Sequence, residues 1–199
     1  LKISKIQSST ASSHYYEKDD YYAKDDPEHQ KCSQWHGQLT ENINLKGQVD
    51  KKDFLNILEG KLSNGQTLGN KIINKETGEE EIIHDKGRDF IFSAPKSVSI
   101  ASLVYNQGTK AENNNSNSNN NLITAHEDAV KSTINYIEKN YLTFRTKDTA
   151  TKEIIHHQSQ KLISALFRHH SNREQDPQLH THAIIANIAY DKNNLNEYR

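Results

Sequence analysis

Alternating polar and apolar residues near the end of the chain predict two neighbouring β-strands. In the segment SALFRHHSN, His169 shares a strand face with Phe167, because successive side chains of a strand point to opposite faces. A second strand is expected over residues 179–189, where LHTH leads into the apolar run AIIA, and its alternation places His180 and His182 on one face. The turn-forming stretch NREQDP between the strands predicts a hairpin, so the three histidines are expected to converge.

Similar patterns predict a strand and a helix that precede this hairpin. From Asp89 the alternation in DFIFS predicts another strand, with Asp89, Ile91 and Ser93 on one face. The apolar run over residues 98–104, which follows a proline, predicts a helix packed on that sheet. A strand followed by a packed helix is typical of the α/β class.

Two further helices and one hairpin complete the predicted elements. Apolar residues at helical spacing predict a helix that begins at Asp50 and ends at Gly60, and another over residues 125–141. Asn-Gly and Thr-Gly pairs within residues 62–81 indicate turns and a weak hairpin. Residues 113–121, NNNSNSNNN, have too little apolar surface to offset the entropy of ordering, and we expect a disordered surface insert there.

Composition and charge narrow the class of protein. The 199 residues are 33% hydrophobic and suffice for one domain with a core, while 25 basic and 26 acidic side chains leave a formal net charge of -1. Bulk charge therefore indicates no partner, and a nucleic-acid binder needs locally clustered basic residues. A lone cysteine, Cys32, and the lack of any apolar run near the roughly 20 residues of a membrane span predict a cytoplasmic protein without membrane insertion.

Three converging histidines are a candidate metal site. Three imidazoles leave coordination positions open for a substrate oxygen, as catalytic metal sites do. A solvated pair of surface histidines is the alternative, because the chain has 11 histidines and neighbouring ones arise by chance. A structural zinc site is disfavoured, since Cys32 is far away in sequence and no other soft ligand accompanies the histidines.

A polar segment near the start of the chain contains two tyrosine pairs, Tyr15-Tyr16 and Tyr21-Tyr22. Such pairs commonly serve in packing or interfaces. A phenol becomes a nucleophile when its proton, with a pKa of about 10, is removed or its anion is stabilised. Asp89 is a candidate for that base, or for a carboxylate that orients a metal-binding imidazole. Tyrosine and a divalent ion together indicate phosphoryl transfer through a phosphotyrosine intermediate.

Four motifs follow one another along the chain: YYEKDDYYAKD, W-x-G, GRDFIFSAPKSVS and FRHHSNREQDPQLHTHAIIAN. In this order they closely resemble the conjugative relaxases of the MobF (TrwC/TraI) type, within the histidine-hydrophobe-histidine (HUH) endonuclease superfamily. Tyrosines precede histidines in this type, as they do here, whereas replication-initiator relatives place the tyrosine after them. The resemblance covers nearly the whole chain. It implies an α/β domain built as a central antiparallel β-sheet flanked by helices, the relaxase palm.

Residue by residue, the resemblance implies a role for each group at the site. Tyr15 matches the nucleophile, Tyr21 the second strand-transfer tyrosine, and Asp89 a base-like acid. The accompanying tyrosines and the metal ligands are Tyr16, Tyr22, His169, His180 and His182. The implied cofactor is a divalent metal ion, Mg²⁺ or Mn²⁺, with Zn²⁺ or Ni²⁺ as alternatives.

The implied activity is that of a nickase for single-stranded DNA at a transfer origin, with other relaxosome and conjugative coupling proteins as further partners. Members of this type usually continue into a helicase domain. We expect residues 1–199 to be a C-terminally truncated relaxase domain, because the resemblance implies a relaxase domain that runs well past Arg199. Two alternatives stay open: a hydrolytic metallonuclease in which a metal-bound water replaces tyrosine, and a catalytically inactive DNA-binding module.

DNA contacts are predicted at four further residues. Lys96, Arg168 and Arg173 are the basic residues nearest the motifs and are candidates for phosphate contacts. Trp35 is a candidate for stacking on a base. Each has a structural alternative, since Trp35 can belong to the core and Lys96 can be a surface residue at the start of a helix.

Overall fold

The computed structural model contains a five-stranded sheet within the residues that it describes. The described residues are 1–6, 32–75, 77–108, 116–148, 150–159, 161–172, 174, 176–191 and 198. The strands of the sheet are β1 (Lys2–Lys5), β2 (Ser33–His36), β5 (Gly87–Ser93), β8 (Ser164–Ser171) and β9 (Pro177–Ala186). They follow the order β1-β5-β9-β8-β2, and every neighbouring pair is antiparallel. The expected central antiparallel sheet is confirmed.

The β8–β9 hairpin and its neighbour β5 form the centre of this sheet. In the ladder His169 lies directly opposite His180, as the turn between the strands predicts, and His182 lies opposite Phe167. β9 begins and ends a few residues earlier than the predicted 179–189, since its pairing with β8 extends to its first residue. The ladder therefore fixes the register of all three histidines.

Helices cover both faces of the sheet, as expected. They are α1 (Gln38–Asn42), α2 (Lys51–Leu58), α3 (Lys96–Gly108) and α4 (Ser116–Asn140). On one face Val130 and Ile134 of α4 pack with Leu166 of β8. On the other, Phe54 of α2 makes an edge-to-face contact with Phe167, with ring centroids 5.2 Å apart. None of the helices in the described part of the chain is long and apolar enough to cross a membrane.

The ends of α2 follow from its local sequence. The Asp50 side chain accepts hydrogen bonds from the backbone N–H groups of Lys52 and Asp53 at 2.8 and 3.1 Å, as an N-cap does. Gly60 follows the helix with a φ of 73°, a left-handed conformation that glycine adopts readily. Both predicted ends of this helix are therefore confirmed.

Two separate hairpins accompany the central sheet. They are β3 (Asn70–Ile73) with β4 (Glu80–Ile83), and β6 (Thr143–Lys147) with β7 (Ile154–Gln158). The first confirms the weak hairpin that the turn residues predict. The second, like the edge strand β1, is not predicted, because these strands are only four or five residues long and none of their residues is buried, so they carry little apolar signal.

The Asn-rich segment differs from its prediction. Residues 116–121 form the first turns of α4 and are helical, whereas residues 113–115 lie outside the described residues. Residues 116–121 thus continue a helix where the sequence predicts a disordered insert. Helix extension needs no new nucleus once the turns around Val130 and Ile134 are packed, because each added residue gains a backbone hydrogen bond.

Candidate metal centre

Three histidine side chains meet on the face of the sheet that α2 covers. Their ring centroids are 5.2 Å apart for His169 and His180, 5.3 Å for His180 and His182, and 5.5 Å for His169 and His182. All three are buried, with no more than 9% of the surface of each exposed. Strand alternation puts two of the rings on one face, and cross-strand pairing brings the third beside them. The structure therefore brings the three predicted imidazoles together.

Hydrogen bonds fix the tautomers of two of these imidazoles. Nδ1–H of His180 donates to the backbone carbonyl of Gln178 at 2.9 Å. Nδ1–H of His182 donates to Oδ2 of Asp89 at 2.8 Å. Because both acceptors require a hydrogen on Nδ1, the neutral form of each ring has its lone pair on Nε2. A lone pair on Nε2 is the donor that a divalent metal ion needs.

Burial keeps one of the rings in its neutral form. It lowers the pKa of His180, an effect that the Gln178 carbonyl opposes and that nearby His182 reinforces. A neutral imidazole is the protonation state that coordinates metal. His180 is therefore in its coordinating form at neutral pH.

The distances between the possible ligand atoms do not match a metal site, whereas the chemistry of the ligand atoms does. Among the described residues no group of three His, Cys, Asp or Glu side chains has donor atoms spaced to hold a metal ion as they stand. The donor set nevertheless fits a divalent ion, because His180 and His182 direct their lone pairs to Nε2 and His169 lies within 5.5 Å of both rings. Donor chemistry carries more weight here, since a small ring rotation changes donor spacing whereas hydrogen bonds hold the tautomers.

Arg168 lies on the opposite face of the sheet from the three histidines. Its guanidinium forms an ion pair with Glu127 of α4, and Nη2 lies 3.3 Å from the Cys32 sulfur. In this arrangement the guanidinium of Arg168 points away from the histidine group and is occupied by the carboxylate of Glu127.

The two other predicted DNA contacts in the described residues have different surroundings. Trp35 of β2 is 8% exposed and belongs to the apolar core, which is the structural alternative to stacking on a base. Lys96 is exposed at the start of α3, and its Nζ donates to the backbone carbonyl of Pro177 at 3.0 Å. Because Pro177 opens the strand that carries His180, Lys96 lies at the histidine end of the sheet.

The predicted tyrosines Tyr15, Tyr16, Tyr21 and Tyr22, together with Arg173, lie outside the described residues. The chain returns to the described part at Cys32, whose backbone carbonyl accepts a hydrogen bond from the backbone N–H of Arg168 at 3.0 Å. Cys32 therefore pairs with the residue that precedes His169 in β8.

A groove of about 770 Å³ opens at the other end of the β5–β9 pair. It is lined by His84 after β4, by Arg145 and His156 of the β6–β7 hairpin, and by Arg88 of β5. Arg88 forms an ion pair with Asp85 at 3.3 Å, whereas Arg145 is exposed. Sequence patterns did not predict this partly basic lining, because it is assembled from separate parts of the chain.

Comparison with known proteins places the chain in a family. The family described as TrwC relaxase matches residues 9–197. The chain is 34% identical over 189 residues to the multifunctional conjugation protein TraI of Escherichia coli, and 33% identical to that of Escherichia coli strain K12. Each match covers 94% of this chain and 9% of the relative. The chain belongs to the TrwC relaxase family.

Solved structures of the conjugative relaxase TrwC share this fold. A metal-bound complex with OriT DNA matches with a TM-score of 0.73 at 28% identity. A complex with a 27-mer DNA comprising the recognition hairpin and the cleavage site matches with a TM-score of 0.70 at 28% identity. The matches cover 100% of this chain and 60% and 59% of those chains. This chain therefore spans about three-fifths of the solved TrwC chains and less than a tenth of the TraI relatives.

Proposed function

We propose that this chain is a relaxase that nicks single-stranded DNA at a transfer origin by tyrosine transesterification, with the help of a divalent metal ion. The observation that carries the proposal is the buried group of His169, His180 and His182. In His180 and His182, hydrogen bonds from Nδ1–H leave the lone pair on Nε2, where it can bind a metal ion. Membership of the TrwC relaxase family supports it. The TrwC structures described as complexes with OriT DNA, in metal-free and metal-bound forms, support the same substrate and cofactor.

In the proposed reaction the phenolic oxygen of Tyr15 attacks the phosphorus of the scissile phosphodiester. A bond forms between these two atoms, the bond from phosphorus to O3′ breaks, the phenol releases its proton and the departing O3′ takes one up. The products are a 5′-phosphotyrosine and a free 3′-hydroxyl, so the strand can be rejoined later, with Tyr21 as the second nucleophile. Tyr16 and Tyr22 are the second tyrosines of the two pairs and serve as possible accessory residues. His169, His180 and His182 would hold the divalent ion, which would stabilise the negative charge that develops on the phosphate.

For Asp89 the geometry favours one of its two predicted roles. Its carboxylate is buried and accepts the Nδ1–H of His182, so it lies behind a proposed ligand and not at an open surface. A carboxylate in that position fixes the ring orientation and makes the imidazole a stronger donor. We assign Asp89 the orienting role, and the phenol proton leaves by another route.

The donors set the order of affinity for different ions. Imidazole nitrogens favour Ni²⁺ and Zn²⁺, while Mg²⁺ prefers oxygen ligands and Mn²⁺ binds nitrogen sites more weakly than the later metals. On affinity alone, this order places Ni²⁺ and Zn²⁺ ahead of the Mg²⁺ or Mn²⁺ that the sequence resemblance implies. Cellular availability then decides which ion is used.

The domain, its location and its partners belong to the same proposal. Residues 1–199 form a C-terminally truncated relaxase domain that acts in the cytoplasm, together with other relaxosome and coupling proteins. Lys96 and Arg173 contact DNA phosphates near the histidine group. The exposed Arg145 offers a further phosphate contact in the groove at the far end of the sheet.

A covalent adduct is the test that separates this proposal from its rivals. The chain is incubated with a panel of single-stranded transfer-origin oligonucleotides and Mn²⁺, and the products are separated on a denaturing gel. Tyrosine chemistry gives a protein band that carries DNA. Cleaved DNA without such a band would show the hydrolytic metallonuclease, and DNA binding without cleavage would show the inactive module.

A further inference from the structure

Two consecutive residues of α4 make polar contacts with the sheet from the face opposite the histidine group. Nε2 of His126 shares a hydrogen bond of 3.0 Å with the hydroxyl of Thr181 in β9. The carboxylate of the next residue, Glu127, forms an ion pair with Arg168 in β8. α4 therefore holds both strands of the β8–β9 hairpin.

The strand residues that receive these contacts lie directly behind the proposed metal ligands. Arg168 and Thr181 are partners in the β8–β9 ladder. Arg168 immediately precedes His169, and Thr181 separates His180 from His182. Because side chains alternate across a strand, neighbouring residues of each strand place the proposed ligands on one face and the α4 contacts on the other.

We propose that His126 and Glu127 are positioning residues that hold the β8–β9 strands in the arrangement from which the three histidine rings can converge on a metal ion. This inference rests on the proposed metal-dependent function of the histidine group. Neither residue reaches the histidine face, so each acts through the strand residue that it contacts.

The β8–β9 ladder sets the register of the three histidines, but it does not by itself fix the distances between their side chains. The regular register is lost directly after His169, between that residue and Ser171. A strand end with irregular pairing can shift relative to its partner, and a shift of a few tenths of an ångström exceeds the tolerance of metal–ligand distances. The contacts from α4 to Arg168 and Thr181 oppose this shift of the strands next to the position where the regular ladder ends.

The polar character of these contacts also favours positioning over packing. Thr181 is 3% exposed, and the same face packs Val130 and Leu166 into an apolar cluster. A buried hydroxyl among apolar groups costs free energy unless it is hydrogen-bonded, so the placement of α4 that brings His126 to Thr181 is favoured over one that leaves this hydroxyl without His126. Such a contact specifies geometry more than it adds stability.

α4 offers a matched control for loss of helix packing. Oε1 of Glu138, which is 2% exposed, accepts hydrogen bonds from the backbone N–H groups of Gln38 and Leu162 at 2.9 and 2.7 Å. This anchor lies about 18 Å along the helix from His126, at a rise of about 1.5 Å per residue. Glu138→Gln therefore weakens the attachment of α4 without touching the strands behind the histidine group.

The test is a titration of the 199-residue chain with Co²⁺, which reports affinity by calorimetry and ligand geometry by visible absorption. His126→Leu is expected to weaken Co²⁺ binding at least about tenfold and to change the spectrum, as losses of outer-shell contacts do. Glu127→Gln is expected to act in the same direction. His126→Gln, whose amide reaches the position of Nε2, is expected to restore most of the affinity, and Glu138→Gln to lower the Tm while leaving the affinity for Co²⁺ unchanged.

The outcomes separate this inference from the function on which it rests. His126→Leu and Glu127→Gln that are folded and bind Co²⁺ as the parent does would overturn the positioning role. If His126→Leu does not fold, His126→Gln and Glu127→Gln decide the question on the same titration. A parent chain that binds Co²⁺ no better than His180→Ala would instead contradict the proposed metal site itself.

Discussion

Asp89 and His182 are joined across the β5–β9 ladder by a hydrogen bond of 2.8 Å from Nδ1 to Oδ2, and both side chains are buried. In the ladder Asp89 lies opposite Ile184 and His182 lies opposite Ile91, so the bond connects diagonal neighbours on one face. A buried carboxylate is costly unless it accepts hydrogen bonds, and this one places the imidazole hydrogen on Nδ1. Sheet register therefore determines the chemistry of a proposed metal ligand.

Asp89→Asn should weaken metal binding without abolishing it. An amide oxygen can still accept the Nδ1–H of His182, but it lacks the charge that makes the ring a stronger donor. We expect an affinity for Co²⁺ about tenfold to a hundredfold lower and slower formation of the covalent adduct. Asp85→Asn is the matched control, because Asp85 pairs with Lys5 and Arg88 away from the histidine group. Equal adduct rates for parent and Asp89→Asn would contradict the orienting role.

Removing a proposed ligand should abolish both metal binding and cleavage. His180→Ala or His182→Ala deletes an imidazole but leaves the ladder and the apolar core in place, so circular dichroism should show a retained fold. Co²⁺ titration and the adduct assay should both report loss. His156→Ala removes an exposed imidazole on β7 and should bind Co²⁺ as the parent does. Normal cleavage by His180→Ala with added Mn²⁺ would refute the assignment.

The histidine group could be predicted because local signals determine it. Strand alternation sets the face of His180 and His182, and the turn between the strands sets the position of His169 opposite His180. The contact between His126 and Thr181 could not be predicted in this way. It depends on how α4 is placed on the sheet, and that placement follows from the apolar packing of the whole helix.

Side-chain roles were harder to predict than elements. Trp35 and Arg168 have residue types that suit DNA, yet Trp35 fills the apolar core and Arg168 is paired with Glu127. Residue type alone does not tell which face of a strand meets a helix. The β6–β7 hairpin was not predicted from the sequence. Its strands are short, and Phe144 and His157 stack on each other with ring centroids 4.9 Å apart. Neither residue belongs to the two apolar core clusters.

Stability of the metal-free chain should fall in mild acid. Burial lowers the pKa of His84 from its ordinary value of about 6.5, against the opposing effect of Asp85. The unfolded chain therefore binds a proton at His84 more readily than the folded chain does. The free energy of unfolding should be constant above about pH 7.5 and decrease as the pH falls below about 6.5.

Urea denaturation across this pH range measures the effect. His84→Gln removes the titrating group, so its free energy of unfolding should decrease less between about pH 7 and pH 5 than that of the parent. The same decrease in both proteins would show that His84 is not held in its neutral form by burial.

The Asn-rich segment should tolerate replacement. Residues 113–121 contain neither apolar nor titratable side chains, so a Gly-Ser linker of equal length removes no apolar group and no charge. We expect the rate of adduct formation to stay close to the parent value and the Tm to fall modestly, because glycine disfavours the first turns of α4, as the gel assay and thermal denaturation would show. Loss of cleavage in a chain that still unfolds cooperatively above the assay temperature would indicate that this segment contacts DNA.

The identity of the nucleophile is the central claim, and mass spectrometry of the covalent adduct tests it most directly. Digestion of the parent chain after reaction with a single-stranded transfer-origin oligonucleotide should yield one DNA-linked peptide, with the DNA on Tyr15. Tyr15→Phe removes only the hydroxyl and should give no adduct, while Tyr21→Phe should form it as the parent does. DNA found on Tyr21 or Tyr22 of the parent, or an undiminished adduct from Tyr15→Phe, would contradict the assignment.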